Sequence, residues 1–158
     1  MSEKHQEHQR TGYKQPFIAT DIIIEYNDGH KEGIVLIDRK NEPHGLALPG
    51  GFAEYGLTLE QNAQKEAREE TGLGVLIQYP ENPFCVHSNP HRDPRAHVIS
   101  VAYVAEGKGT LRAGDDAQAA VLYSLSEVVD LLGKDKFAFP DHERIIIKYL
   151  QKRLWDNE

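Results

Sequence analysis

Cysteine, methionine and tryptophan are the scarcest residues of this chain, one of each. The single Cys85 excludes an internal disulfide and fits a reducing compartment, so a cytoplasmic setting is expected. Cys85, His87, His91 and His97 are separated by one, three and five residues and interrupted by prolines, which is not the spacing of a structural zinc site. Long apolar runs are missing as well. No stretch approaches the roughly 20 apolar residues of a membrane helix, and the first residues lack the apolar core of a signal peptide. Neither a membrane nor secretion is therefore expected. Positive charge is also short: 18 Lys and Arg against 25 Asp and Glu leave a net charge of −7. That balance argues against nucleic acid as a bulk electrostatic partner. It also means that an anionic substrate must be held by local cationic groups or by a bound metal ion.

What is present reads as one domain with a core of ordinary size. Residues 1–15 (MSEKHQEHQRTGYKQ) are polar and aperiodic, so a disordered arm is expected there, followed by one folded domain over 16–158. FIATDIIIEY (Phe17 to Tyr26) is β-branched and apolar, a buried strand. Asn27-Asp28-Gly29 marks a turn into a partner strand, Gly33 to Arg39, giving a hairpin. Further strands are expected at Val75 to Gln78, His97 to Ala105 and Ala120 to Leu125, with an irregular stretch from Tyr79 to Ala96. A short helix is expected at Glu127 to Leu132. An amphipathic one follows at Asp141 to Trp155, with Asp141 as its cap after Pro140.

The most informative stretch is Leu48 to Leu73, LPGGFAEYGLTLEQNAQKEAREETGL. Thr58 with Gln61 three residues on is a capping box that opens a helix, and Gly72 closes it. Glu66, Glu69 and Glu70 then stand at i, i+3 and i+4, within an arc of roughly 100°. Three like charges on one face repel unless something positive lies against them, and hard divalent cations prefer such oxygen ligands. Ahead of the helix, Gly50, Gly51 and Gly56 let the backbone approach a metal or a phosphate closely. The competing reading of these glutamates is a solvated acidic helix face.

Cationic candidates lie elsewhere. Arg39 ends the hairpin, and Arg92 and Arg95 sit in SNPHRDPRAH; guanidinium groups match phosphate oxygens in pairs, although local ion pairing is the alternative. Asp115 and Asp116 precede a strand, where aspartates often serve turns. Phe137, Phe139 and His142 are placed either to stack a nucleobase or to pack.

From Gly51 through Leu73 the chain resembles the Nudix box, with Gly51, Glu66, Ala67, Glu69, Glu70, Gly72 and Leu73 in register. Two positions depart: Leu57 stands where the family has its first glutamate, and Lys65 where it has arginine. Lysine keeps the charge but loses the planar bidentate fork. Together with TDIIIEY, IDRKNEP, RDPRAHVISVAYVA and GDDAQAA, the whole chain is similar to the ADP-ribose pyrophosphatase-like subgroup. The resemblance implies an α/β/α sandwich around a central mixed sheet. It implies Mg2+- or Mn2+-dependent cleavage of a nucleoside diphosphate linked to another moiety, foremost ADP-ribose to AMP and ribose 5-phosphate. By the same resemblance Gly51, Glu66, Glu69 and Glu70 bind metal, and Glu66, Asp116 and Lys65 serve catalysis, with Asp115 the second choice for the acidic loop residue. Arg39, Arg92 and Arg95 balance substrate charge. A nucleoside diphosphate sugar, a nucleoside triphosphate, or an ADP-ribose-sensing domain are the alternatives. Relatives are often homodimers; the expected partner is a small nucleotide.

Overall fold

The computed structural model describes residues 14–114 and 117–157. Most of the expected N-terminal arm, and Asp115 and Asp116, lie outside the described residues.

In chain order the strands are β1 (Phe17–Asn27), β2 (Glu32–Arg39), β3 (Leu46–Ala47) and β4 (Gly50–Phe52), then β5 (Gly74–Leu76), β6 (Cys85–His87), β7 (Val98–Lys108) and β8 (Ala117–Tyr123). The helices are α1 (Leu59–Thr71), between β4 and β5, and α2 (Leu125–Leu131) and α3 (Pro140–Trp155) at the end. The strands form one eight-stranded mixed sheet with the central order β3-β2-β1-β7-β5. β1 and β7 run parallel from Phe17 opposite Val98 to Glu25 opposite Glu106. On its other edge β1 changes partner: Glu25 to Asn27 pair with β2, whereas Ala19 to Asp21 pair with β4. The glycine segment is thus stitched into the centre of the sheet where the hairpin has parted from β1. Its paired glycines carry no strand signal of their own. Backbone pairing made it a strand.

Helices cover both faces. Ile22 and Ile24 point to one side, where they pack with Ala63, Ala67 and Leu73 of the α1 region. Ile23 points to the other, against Val128 of α2 and Ile145, Ile146 and Tyr149 of α3. The alternation follows from the two-residue period of a strand. Each isoleucine is fully buried, contributing about 1.5–3 kcal/mol of transfer free energy. The small Ala63 and Ala67, both buried, let α1 lie close on the sheet.

α1 begins and ends as its residues dictate: Thr58 accepts from the Gln61 N–H, Gln61 returns the bond, and Gly72 adopts φ 74°. α3 differs from expectation. Phe139 occupies the cap position without a side-chain bond and Pro140 opens the helix, while Asp141 lies inside the first turn, drawn to Arg92. The irregular stretch contains the short strand β6, paired with β7 at Cys85 to His87. No helix among the described residues is long and apolar enough to cross a membrane.

Candidate active site

The glycine segment is held peptide by peptide. The Leu48 N–H donates to His142 Nδ1 at 3.1 Å. The Pro49 carbonyl accepts the Ile22 N–H at 2.8 Å. The Gly50 N–H donates to Glu70 Oε2 at 3.0 Å. A Cβ built on Gly51 would lie 2.5 Å from the Glu66 carboxyl carbon, so a side chain there would displace the carboxylate. β4 therefore runs against two of the three helix carboxylates, Glu66 at Gly51 and Glu70 at Gly50. Asn62, buried beneath, donates to Thr20 Oγ1 at 2.9 Å and accepts from the Glu54 N–H at 3.1 Å, fixing the loop before α1. Its Nδ2 also reaches the Gly51 carbonyl at 3.4 Å.

Glu70 is the electrostatic outlier. Burial raises its pKa, the Gly50 N–H opposes that, and the nearby charges of Glu66 and Asp21 raise it further, to about 8. Glu69 is placed differently: its carboxylate is more than half exposed and lies 3.0 Å from Lys65 Nζ. Among the described residues, no three His, Cys, Asp or Glu side chains converge into a group that could hold a metal by themselves. The donor set nevertheless suits a hard dication. Glu66, Glu70 and the Gly51 carbonyl are all oxygen, and mutual repulsion of carboxylates is what a divalent ion relieves.

Lys65 Nζ also lies 3.2 Å from Glu54 Oε2. Both bonds, the Glu69 one foremost, hold the ammonium pKa above its ordinary value. Lys65 thereby ties the turn before α1 to the helix and does not turn to Glu66 alone. Leu57 is partly exposed and its N–H donates to the Glu54 carbonyl at 3.2 Å.

A second wall is cationic. Arg39, Arg92 and Arg95 place their guanidinium carbons 5.1, 5.7 and 5.5 Å from the centre of the Phe139 ring, and Arg95 also stacks 5.0 Å over Phe52. Their freedom differs. The Arg92 side chain is buried and its Nε donates to Asp141 Oδ2 at 2.6 Å. Arg95 forks onto the buried Asp93 at 3.0 and 2.8 Å, yet 40% of its side chain remains exposed. Arg39 is half-buried with its Nε on the Pro43 carbonyl at 2.8 Å; burial and the like charge of Arg95 lower its pKa. Arg39, Arg92 and Arg95 line a small cavity of about 60 Å3 together with Gly50, Gly51, Phe52, Phe139 and His142. A larger cavity, about 450 Å3, lies at the far end of β1, lined by Glu25, Glu32 and Glu106 as well as Lys108 and Arg153. It is remote from the glycine segment.

The loop after β7 brings the chain back to the carboxylate helix. The Gly114 N–H donates to the Glu70 carbonyl at 3.0 Å and the Arg112 N–H to the Thr71 carbonyl at 2.8 Å. A Cβ at Gly114 would collide with the Glu69 backbone. Asp116, the candidate base, follows just beyond and lies outside the described residues.

Sequence reasoning passed over several participants. Asp21 and Ser100 are buried on β1 and β7, and Ser100 Oγ–H donates to Asp21 Oδ2. Their signal was a polar residue inside an apolar strand, Asp21 in ATDIIIEY. Glu54, Asn62 and Asp93 carried no local signal.

Comparison with known proteins agrees with this architecture. The NUDIX domain family model matches residues 16–148. An ADP-ribose pyrophosphatase of Methanocaldococcus jannaschii is 43% identical over 92% of this chain and 78% of its own length. The ADPR responsive transcriptional repressor NtrR of Acinetobacter baylyi is 33% identical over 63% of this chain, which spans 40% of that protein. Among solved structures, a bifunctional NMN adenylyltransferase/ADP ribose pyrophosphatase of Francisella tularensis, complexed with AMP and a manganese ion, superposes with a TM-score of 0.70 at 28% identity. That match covers 95% of this chain and 45% of the other.

Proposed function

The chain belongs to the NUDIX family and is a pyrophosphohydrolase of it; from that premise we propose that it hydrolyses ADP-ribose to AMP and ribose 5-phosphate with the help of Mg2+ or Mn2+. The observation that carries the reading is a shared cavity. The Gly50–Gly51 segment, backed by Glu66 and Glu70, lines it from one side, and Arg39 and Arg95 line it from the other. A pyrophosphate spanning the two walls meets an oxygen-rich metal seat at one end and guanidinium groups at the other.

The divalent ion, when bound, supplies positive charge to the pyrophosphate oxygens and eases deprotonation of the attacking water. The residues of this chain that would hold it are Glu66, Glu70 and the Gly51 carbonyl, with Glu69 joining if Lys65 yields it. Glu66 or Asp116 accepts the proton of the attacking water. Support for Asp116 is its place in the sequence, two residues after Gly114, whose N–H donates to the Glu70 carbonyl. Lys65 holds the loop and Glu69 in register. Arg39 and Arg95 neutralise the substrate's phosphates, and Phe52 and Phe139 present ring faces beside them. The single free Cys85 is in keeping with a reducing, cytoplasmic setting.

The test is Mg2+-dependent hydrolysis across a panel of ADP-ribose, nucleoside diphosphate sugars and nucleoside triphosphates, with AMP and ribose 5-phosphate quantified. ADP-ribose should be turned over with the highest kcat/KM. Tight ADP-ribose binding without AMP formation would replace the reading with a sensor.

A further inference from the structure

We infer that His142 is a positioning residue of this active site, its imidazole fixing the backbone that enters Gly50–Gly51 and setting the arginine wall in register with it. The kinetic part of this inference rests on the hydrolase reading above; the structural part does not.

His142 lies in the first turn of α3 and is 2% exposed. Its Nδ1 accepts the Leu48 N–H at 3.1 Å. A ring nitrogen that accepts carries no proton, so the ring's hydrogen is on Nε2. Nε2 lies 3.3 Å from Asp21 Oδ2, and that oxygen also accepts from Ser100. The result is a buried chain, Ser100 to Asp21 to His142 to the Leu48 peptide, crossing from β7 through β1 to α3 and ending one residue before Pro49. Asp21 Oδ2 is held by the Ser100 hydroxyl on one side and faces His142 Nε2 on the other. Asp21 is thereby an acceptor that orients the ring.

The same ring faces the cationic wall. Its centre lies 4.9 Å from that of Phe139, the ring on which Arg39, Arg92 and Arg95 converge. Leu48, Pro49 and Gly50 are each held by a different element: α3 through His142, β1 through Ile22, α1 through Glu70. His142 supplies the α3 contribution. Removing it frees the peptide that leads into the metal seat and loosens Phe139 at once. A buried histidine that merely filled space would need a ring, not an acceptor at Nδ1.

Two substitutions separate these roles. In His142→Asn, the side-chain oxygen stands near the place of Nδ1 and can still accept the Leu48 N–H. In His142→Gln, the longer amide reaches toward Asp21 and overshoots that position. The experiment uses the full 15N-labelled chain and reads three quantities: Leu48 amide exchange, Mn2+ affinity by electron paramagnetic resonance, and ADP-ribose turnover with Mg2+. For His142→Gln we expect faster Leu48 exchange, with Mn2+ affinity and kcat both lower by roughly 10–100-fold, the usual effect of disturbing a residue behind a metal ligand. His142→Asn should stay within about threefold of the unaltered protein on Leu48 exchange and Mn2+ affinity, and lose part of its ADP-ribose turnover because it lacks the ring that packs on Phe139. Equal losses in both variants, or no loss in His142→Gln, would overturn the inference. If His142→Gln fails to fold, His142→Asn alone decides: retained Leu48 protection and Mn2+ affinity support the inference, and their loss refutes it. If the unaltered protein turns over no ADP-ribose, the substrate reading falls, while Leu48 exchange and Mn2+ binding still judge the role of His142.

Discussion

Lys65 Nζ lies 3.2 Å from Glu54 Oε2, an ion pair that joins the turn before α1 to the helix that carries the carboxylates. Leu57, where the family pattern has a glutamate, cannot form that pair, and Glu54 supplies the acid from three residues upstream. The relocated pair explains how the loop is secured without a carboxylate at position 57. Glu54→Gln should therefore lower kcat by roughly tenfold, and adding Leu57→Glu with Lys65→Arg in the same chain should restore most of it. Steady-state ADP-ribose hydrolysis by the three proteins measures this. No recovery in the combined variant would show that the two pairs are not equivalent.

The carboxylates against β4 are expected to dominate turnover. Glu66→Gln and Glu70→Gln should each reduce kcat by about 100-fold or more, with circular dichroism unchanged. Glu69→Gln, whose carboxylate turns to Lys65, should cost less than either. A Glu66→Gln enzyme with near-normal turnover would remove Glu66 from the mechanism.

Metal binding should release a proton below about pH 8, because Glu70 in the metal-free protein has its pKa raised to about 8 and must ionise to coordinate. Mn2+ affinity then rises with pH up to that value and flattens above it. Calorimetry in buffers of different ionisation enthalpy reads the released proton directly. The sign for stability is opposite: folded Glu70 holds its proton more tightly than the unfolded chain, so its contribution is full below the ordinary glutamate value of 4.5 and is lost as pH rises toward 8. Metal-free Glu70→Gln should show a shallower fall of Tm across that window.

Arg92 and Arg95 should part company on substitution. Arg92 and Asp141 are an ion pair with side chains 4% and 5% exposed, and Asp141 Oδ1 has no hydrogen-bond partner among the described residues. Arg92→Ala leaves a buried carboxylate uncompensated and should cost about 3–5 kcal/mol in urea denaturation. Arg95→Ala, at a more exposed fork, should chiefly raise KM for ADP-ribose, with a smaller stability loss. If Arg92→Ala raised KM with stability intact, Arg92 would act as a substrate contact.

Helix α1 was legible from residues alone because everything that makes it is local. The Thr58–Gln61 box, the αL glycine at 72 and the phase of Glu66, Glu69 and Glu70 span a few residues each, and helical geometry leaves them little choice. The apolar, β-branched run through Ile22, Ile23 and Ile24 marked a buried strand in the same way, and the structure packs it on both faces. What the chain order could not reveal are bonds between distant partners: Leu48 to His142 across 94 positions, Asp21 to Ser100 across 79, Arg92 to Asp141 across 49. Tertiary structure alone decided that Gly50–Phe52 pairs with β1, that Asp141 holds Arg92 and does not cap its helix, and that Lys65 finds Glu54. The physical reason is that a side chain's periodicity records which face it occupies. Its partner is chosen only when the sheet closes and buried polar atoms must be satisfied by whatever the fold has brought within reach.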